Sequence, residues 1–162
     1  MEVTYINGDA VGYTLDHDDT VILHVCNNLA VMDDGISHQI KNKIPTAFEN
    51  YFHKSMETDN PDERLGHISF SSELNVCNMT CQNGIGFGKR NIHYGYLVDC
   101  LNKLVWFLNN THKTVKQVVI PKSMELYRAG GDWETVLELV SHALKNTKID
   151  QLVVVQFSIT HE

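Results

Sequence analysis

Two kinds of apolar pattern alternate along the chain. Residues 3–6, 21–26, 118–120 and 152–157 are short β-rich runs, and the run 21–26 is apolar without alternation, as a central strand covered on both faces requires. Residues 66–70 and 74–82, parted by Ser71-Ser72-Glu73, predict a hairpin of two further strands. Helical stripes lie between these runs. Leu97, Val98, Leu101, Leu104, Val105 and Leu108 repeat at helical spacing after Tyr94 and predict a helix that stops near Asn109-Asn110. Val136, Leu137, Val140 and Leu144 predict another, with Asp132 placed to cap its free amides. Residues 36–42, then Pro45, Ala47, Phe48, Tyr51 and Phe52, predict one helix running into a second, with Pro45 in a first turn where it forfeits no hydrogen bond. Gly8-Asp9-Ala10 and the acids Asp16, Asp18 and Asp19 read as loop and turn. Residues 55–64, polar and containing Pro61, read as a surface segment and the most mobile part of the chain.

Strands alternating with helices predict an α/β fold, in which ligands bind at loops that follow the carboxyl ends of parallel strands. Loops 27–35, 82–88 and 122–132 meet that description. No internal repeat or low-complexity tract divides the chain, and its 162 residues suit one core, so residues 1–162 are expected to form a single domain.

Charge narrows the classes of partner. Thirteen basic against 20 acidic residues give a net charge of −7, which repels a phosphate backbone over its length and argues against general nucleic-acid binding. Small basic groups at Lys41, Lys43 and Lys89-Arg90 leave room for a local phosphate contact. The longest apolar runs fall far short of the roughly 20 residues that cross a bilayer, and Met1-Glu2-Val3 does not begin a secretory signal, so no membrane association and a cytoplasmic location are expected. Cys26, Cys77, Cys81 and Cys100 show no Cys-x-x-Cys spacing and read as small core residues, and the nine dispersed histidines form no metal-binding pattern.

Single motifs carry little. Gly84-Ile85-Gly86-Phe87-Gly88 lets backbone amides approach an anion, yet lacks the helix-packing glycine of a dinucleotide fingerprint and the Gly-Lys-Ser/Thr end of a P-loop, so a simple turn is an equal reading. No Gly-x-Ser-x-Gly elbow occurs, and nothing in the sequence pairs a nucleophile with a base.

Taken together, the loops are specific. A strand leads to Gly8-Asp9-Ala10, then Ile22-Leu23-His24-Val25-Cys26-Asn27, then Gly35-Ile36. Later come Pro45, Tyr51, Leu65-Gly66, Gln82 with Gly84 and Gly86, Tyr94 opening a helix, Pro121 ending a strand, and Gly130-Gly131-Asp132-Trp133 opening the next helix. This order, over nearly the whole chain, resembles the macro domain family. The resemblance implies a three-layer α/β/α fold with a mixed, mostly parallel central sheet, a ligand that is ADP-ribose or a derivative, free or on an ADP-ribosylated macromolecule, and no cofactor or metal.

By that resemblance Asp9 accepts from the adenine amino group with the Ala10 backbone beside it, and Asn27 holds the distal ribose. Gly35 and Ile36 offer amides to the phosphates or distal ribose. The loop of Ser123, Met124, Glu125, Leu126, Tyr127 and Arg128 wraps the diphosphate, with Tyr127 against a ribose and Arg128 on a phosphate; packing of Tyr127 beneath the loop and solvation of Arg128 are equal alternatives. The sequence also departs from the family. His24 stands at a usual asparagine, which is similar to the branch of yeast-type ADP-ribose 1″-phosphate phosphatases and some ADP-ribosyl-ester hydrolases. Met32-Asp33-Asp34-Gly35 replaces a glycine run and sets two carboxylates where phosphates approach. Ser37 stands where one hydrolase branch carries aspartate. Two functions follow. One is a hydrolase that removes the 1″-phosphate, or ADP-ribose from a target, with His24, Asp33 or Asp34 orienting or deprotonating water. The other is a module that binds or sequesters an adenine-nucleotide-derived signal without turnover.

Overall fold

The computed structural model describes residues 1–33, 35–85, 90–122 and 129–156. Their order is β1 (Glu2–Asn7), α1 (Ala10–Asp16), β2 (Thr20–Asn27), α2 (Gly35–Lys43), α3 (Pro45–Ser55), a 3-10 turn (Pro61–Arg64), β3 (Ile68–Phe70), β4 (Val76–Gln82), α4 (Tyr94–Asn110), β5 (Gln117–Lys122), α5 (Trp133–Leu144) and β6 (Gln151–Gln156). Among the described residues six strands form one sheet in the order β1-β6-β5-β2-β4-β3, parallel except for the β3–β4 hairpin. The α/β fold with a mixed, mostly parallel sheet is the expected one.

Alternation along the strands builds a core on each face. Ile22, Val119 and Val153 point to one side and pack with Val11, Ile40 and Ala47 of α1, α2 and α3. Leu23, Val118 and Val154 point to the other and pack with Leu97, Leu101 and Leu104 of α4 and Val136, Val140 and Leu144 of α5. These side chains are 4% exposed or less, and each large aliphatic among them contributes roughly 1.5–3 kcal/mol by leaving water. A third cluster of Cys26, Met32 and Tyr51, with Phe48 against it, fills the space under the loop that follows β2.

Two segments depart from the sequence reading. Residues 10–16, taken as loop and turn, form α1. Asp9 caps it by accepting from Val11 N at 3.1 Å, and Ala10, Val11 and Thr14 bury its inner side. Gly12, Thr14 and the acids after it are weak helix signals, so the cap and burial against the sheet decide the outcome. Residues 55–64, expected to wander over the surface, are tied down. Asn60 caps the 3-10 turn, and Arg64 donates from Nη1 to Asn28 O at 2.9 Å and from Nη2 to Thr58 O at 3.0 Å. No helix of the described residues is long and apolar enough to cross a membrane.

Candidate ligand site

The connections after the strands create the site. β2 and β5 are parallel neighbours, but β2 continues to α2 on one face of the sheet and β5 to α5 on the other. Their ladder ends at Ile22 and Val119, although both strands run on to Asn27 and Lys122. They therefore splay apart toward their carboxyl ends, which is the crevice expected at a topological switch point. The strand ends share one edge of the sheet, since Asn7 pairs with Gln156, Gln156 with Lys122, and Asn27 with Gln82.

Asp9 stands at the β1 end of this edge. One carboxylate oxygen, Oδ1, is used by the helix cap. The other, Oδ2, has no partner among the described residues and lies over Gly12, where an added Cβ would come within 2.9 Å of it. The residue is exposed, so an acceptor is presented to solvent at the mouth of the edge. Ala10, beside it, is buried as the first residue of α1.

Asn27 ends β2, and its side chain serves the loop. Its Oδ1 accepts from Leu29 N at 2.9 Å, Val31 N at 3.4 Å and the Tyr51 hydroxyl at 3.0 Å, while Nδ2 donates to Val31 O at 2.9 Å. The side-chain oxygen is thus fully used by the loop, and one amide hydrogen remains for a ligand. The Tyr51 hydroxyl also donates to Asn27 O at 2.6 Å, and burial pushes its pKa far above the usual phenol value. Ala30 takes a left-handed φ of +63° within this loop, and Gly35 takes +53° where α2 begins. Ile36 follows, packed against the core on the α1–α3 face.

Asn28 escaped the sequence reading, and it binds three segments together. It is 1% exposed, donates from Nδ2 to Pro61 O at 3.1 Å and Asn83 Oδ1 at 3.0 Å, and accepts from Gly84 N at 2.8 Å. The loop after β4 is joined in turn to the start of α5, because Asn91 N and Ile92 N both donate to Ala129 O, at 2.6 and 3.1 Å. Asp132 N donates to the Tyr94 hydroxyl at 2.8 Å, and Asp132 Oδ2 caps α5 by accepting from Thr135 N at 3.1 Å.

His24 sits on the α1–α3 side of β2, 2% exposed. Nδ1 lies 3.1 Å from Asn78 Oδ1 on the neighbouring strand, and Nε2 lies 2.8 Å from Ser37 Oγ in the first turn of α2. Burial lowers its pKa to about 4, with the Asn78 contact opposing, so the ring is neutral near pH 7. The fold thus pairs a serine hydroxyl with an imidazole 13 residues away in the chain. The ring is enclosed, and both nitrogens are engaged within the protein, on Asn78 and on Ser37. Asp33 is different. Its side chain is 69% exposed and lies 3.8 Å from Lys41 Nζ, a loose surface pair worth little in water. Asp34 and the loop of Ser123, Met124, Glu125, Leu126, Tyr127 and Arg128 lie outside the described residues, as do Gly86 and Gly88. Among the described residues no group of acids, histidines and cysteines is arranged to hold a metal ion.

No protein-family model and no curated protein sequence matches the chain. Solved structures do. A Bacteroides thetaiotaomicron protein of unknown function is 25% identical with a TM-score of 0.76, over 96% of this chain and 98% of that one. A macrodomain protein from Streptomyces coelicolor is 24% identical with a TM-score of 0.72, over 94% and 98% of the two chains. Thermosipho africanus DarTG, solved in complex with ADP-ribose, is 12% identical with a TM-score of 0.67, over 100% of this chain and 43% of that one. With its splayed β2 and β5, and helices on both faces of the sheet, the chain has the macrodomain fold.

Proposed function

We propose that this chain recognises ADP-ribose. The observation that carries the reading is the spacing of its polar strand ends. Asp9 follows β1 and Asn27 ends β2, and β6 and β5 lie between them in the sheet. Two ladder steps of roughly 4.8 Å and one wider step, where β5 and β2 splay, separate the two ends by more than about 14 Å. A single nucleoside does not bridge that distance, whereas a nucleoside diphosphate carrying a second sugar does. The adenine amino group would donate to Asp9 Oδ2, the diphosphate would cross the crevice between β2 and β5, and the distal ribose would reach the start of α2. A fold neighbour solved with ADP-ribose supports the choice of ligand.

Binding without turnover is the reading that the described residues favour. A hydrolase needs a base within reach of the attacking water. His24 is enclosed, and the exposed Asp33 carboxylate is the described group left for that role. Release of the 1″-phosphate, or of ADP-ribose from a target, would therefore depend on Asp33 or Asp34, and the kinship with the yeast-type phosphatase branch rests on His24 alone.

Calorimetric titration with ADP-ribose tests recognition, with Asp9→Asn as the informative variant. Asparagine still caps α1, so stability should hold, but it can turn a donor toward the adenine amino group. Affinity is expected to fall about tenfold, the loss of one hydrogen bond to a charged acceptor. No heat at millimolar ADP-ribose would refute recognition. Phosphate released from ADP-ribose 1″-phosphate by wild type, and lost in Asp33→Ala, would instead establish the hydrolase.

A further inference from the structure

A chain of hydrogen bonds beneath the start of α2 has a fixed direction. Asn78 Nδ2 donates to Ala47 O at 2.9 Å and to Ser69 Oγ at 3.3 Å. A carbonyl can only accept, so the amide is oriented and its Oδ1 must face His24. The Nδ1 atom 3.1 Å away then carries the ring hydrogen and donates. A neutral imidazole has one donor and one acceptor, so Nε2 accepts, and the Ser37 hydroxyl 2.8 Å away supplies the hydrogen. Asn78 and His24 are pinned as cross-strand neighbours in the β2–β4 register and are 0% and 2% exposed, which leaves them no water to exchange partners with. Ser37 itself is half-buried, two residues beyond the Gly35 that opens α2. With its hydrogen committed inward, its oxygen offers only lone pairs outward.

We infer that Ser37 is a specificity-determining residue of the ligand site, an acceptor that takes a hydroxyl of the distal sugar and disfavours a phosphate in its place. This inference rests on the ADP-ribose reading and names which derivative fits. A phosphate oxygen at Ser37 would have to draw the hydroxyl hydrogen to itself. His24 Nε2 would then be a buried acceptor without a donor, a loss that lowers affinity on the order of tenfold or more. The Asp33 carboxylate on the adjoining loop acts in the same sense, because a second anion near it is repelled and Lys41 at 3.8 Å only partly offsets the charge. A ribose hydroxyl meets neither obstacle, since it donates to Ser37 and leaves the inner chain intact.

The test compares three ligands, ADP, ADP-ribose and ADP-ribose 1″-phosphate, in calorimetric titrations of the full chain, with released phosphate measured on the same samples. Wild type is expected to bind ADP-ribose about tenfold or more tightly than the 1″-phosphate. Ser37→Ala should weaken ADP-ribose several-fold, leave ADP nearly unchanged, and shrink the preference between the two ribosylated ligands. Ser37→Thr keeps the hydroxyl and should restore that preference, which separates polarity from packing. Equal or tighter binding of the 1″-phosphate by wild type, its hydrolysis, or a preference unaltered in Ser37→Ala would overturn the assignment while ADP-ribose recognition stands. Absence of binding by both ADP and ADP-ribose to wild type would overturn the assignment and the parent reading together.

Discussion

His24 should make the stability of this protein depend on pH within a defined window. Its ring is 2% exposed, and burial lowers its pKa from the ordinary 6.5 to about 4. The unfolded chain is then the stronger proton binder between those values. Above pH 6.5 the ring is neutral in both states and the full contribution of its buried position is present. As pH falls through 6.5 the unfolded state takes up the proton first, so stability declines until about pH 4, where the folded state is protonated too and the loss levels off. A separation of about two and a half units at about 1.4 kcal/mol per unit makes a full loss of about 3–4 kcal/mol, of which about 3 kcal/mol is reached at pH 4. That is a large part of the roughly 5–15 kcal/mol that holds a domain folded. Cys26, whose Sγ lies 3.2 Å from Nδ1, does not confuse the reading, because burial raises its thiol pKa well above the ordinary value and keeps it neutral throughout.

The perturbation that isolates this effect is His24→Asn, which removes the titrating ring. Urea unfolding of both proteins, followed by far-UV circular dichroism from pH 7.5 to 4, gives two stability curves. The remaining histidines are common to both proteins, so their contribution cancels in the difference. Wild type should lead at pH 7.5, and the gap should narrow by about 3 kcal/mol on reaching pH 4, with most of the change below pH 6.5. Curves that stay parallel to within about 0.5 kcal/mol would refute the reasoning, since they would mean that the ring is protonated as easily inside the fold as outside it.

Three substitutions probe the framework of the site. Gly130 has φ of +75°, and a Cβ there would lie 2.5 Å from Arg90 Cα, so Gly130→Ala should cost at least about 2 kcal/mol and lower the calorimetric Tm by about 5 °C or more. Tyr51→Phe removes the donor to Asn27 O and Oδ1; stability should fall by about 1–2 kcal/mol. ADP-ribose affinity should fall with it, and an unchanged affinity would confine that hydroxyl to folding. Asn28→Ala leaves Gly84 N without its acceptor, and the Gly84 amide should exchange with deuterium at least about tenfold faster while amides in α4 keep their rates.

The helices α4 and α5 were legible because each carries a long apolar stripe, and α5 adds Asp132, whose side chain does cap it. The short α1 was not, since it has only 7 residues and its inner face is defined by what β2 and β5 bring to it. The β3–β4 hairpin was foreseen, with strand bounds Ile68–Phe70 and Val76–Gln82 inside the expected runs and Leu74 at a φ of +61° in the turn. Asp9 is a candidate site residue by its place after Gly8, and its task as a helix cap is legible only once a helix is known to follow.

The site itself was legible by position and not by contact, for a reason that lies in the sheet. Strand order decides which loop ends face one another, and order is not local: β1 and β2 are consecutive in sequence yet separated by β6 and β5. The sequence did hold one further signal. His24 interrupts the apolar run of β2, Asn78 and Thr80 interrupt that of β4, and a buried polar group must find a partner. In adjacent strands on the same face, the economical partner is an interruption of the other strand. Register then puts His24 opposite Asn78, and the helix that crosses above supplies Ser37 to the remaining nitrogen. Asn27 shows the opposite lesson. An asparagine at a strand end before a loop reads as a ligand contact, whereas the loop needs acceptors for the amides of Leu29 and Val31, and Asn27 Oδ1 takes both. Backbone amides inside a tight loop draw on the same side chain that a ribose would meet, which leaves one Asn27 amide hydrogen for a ligand.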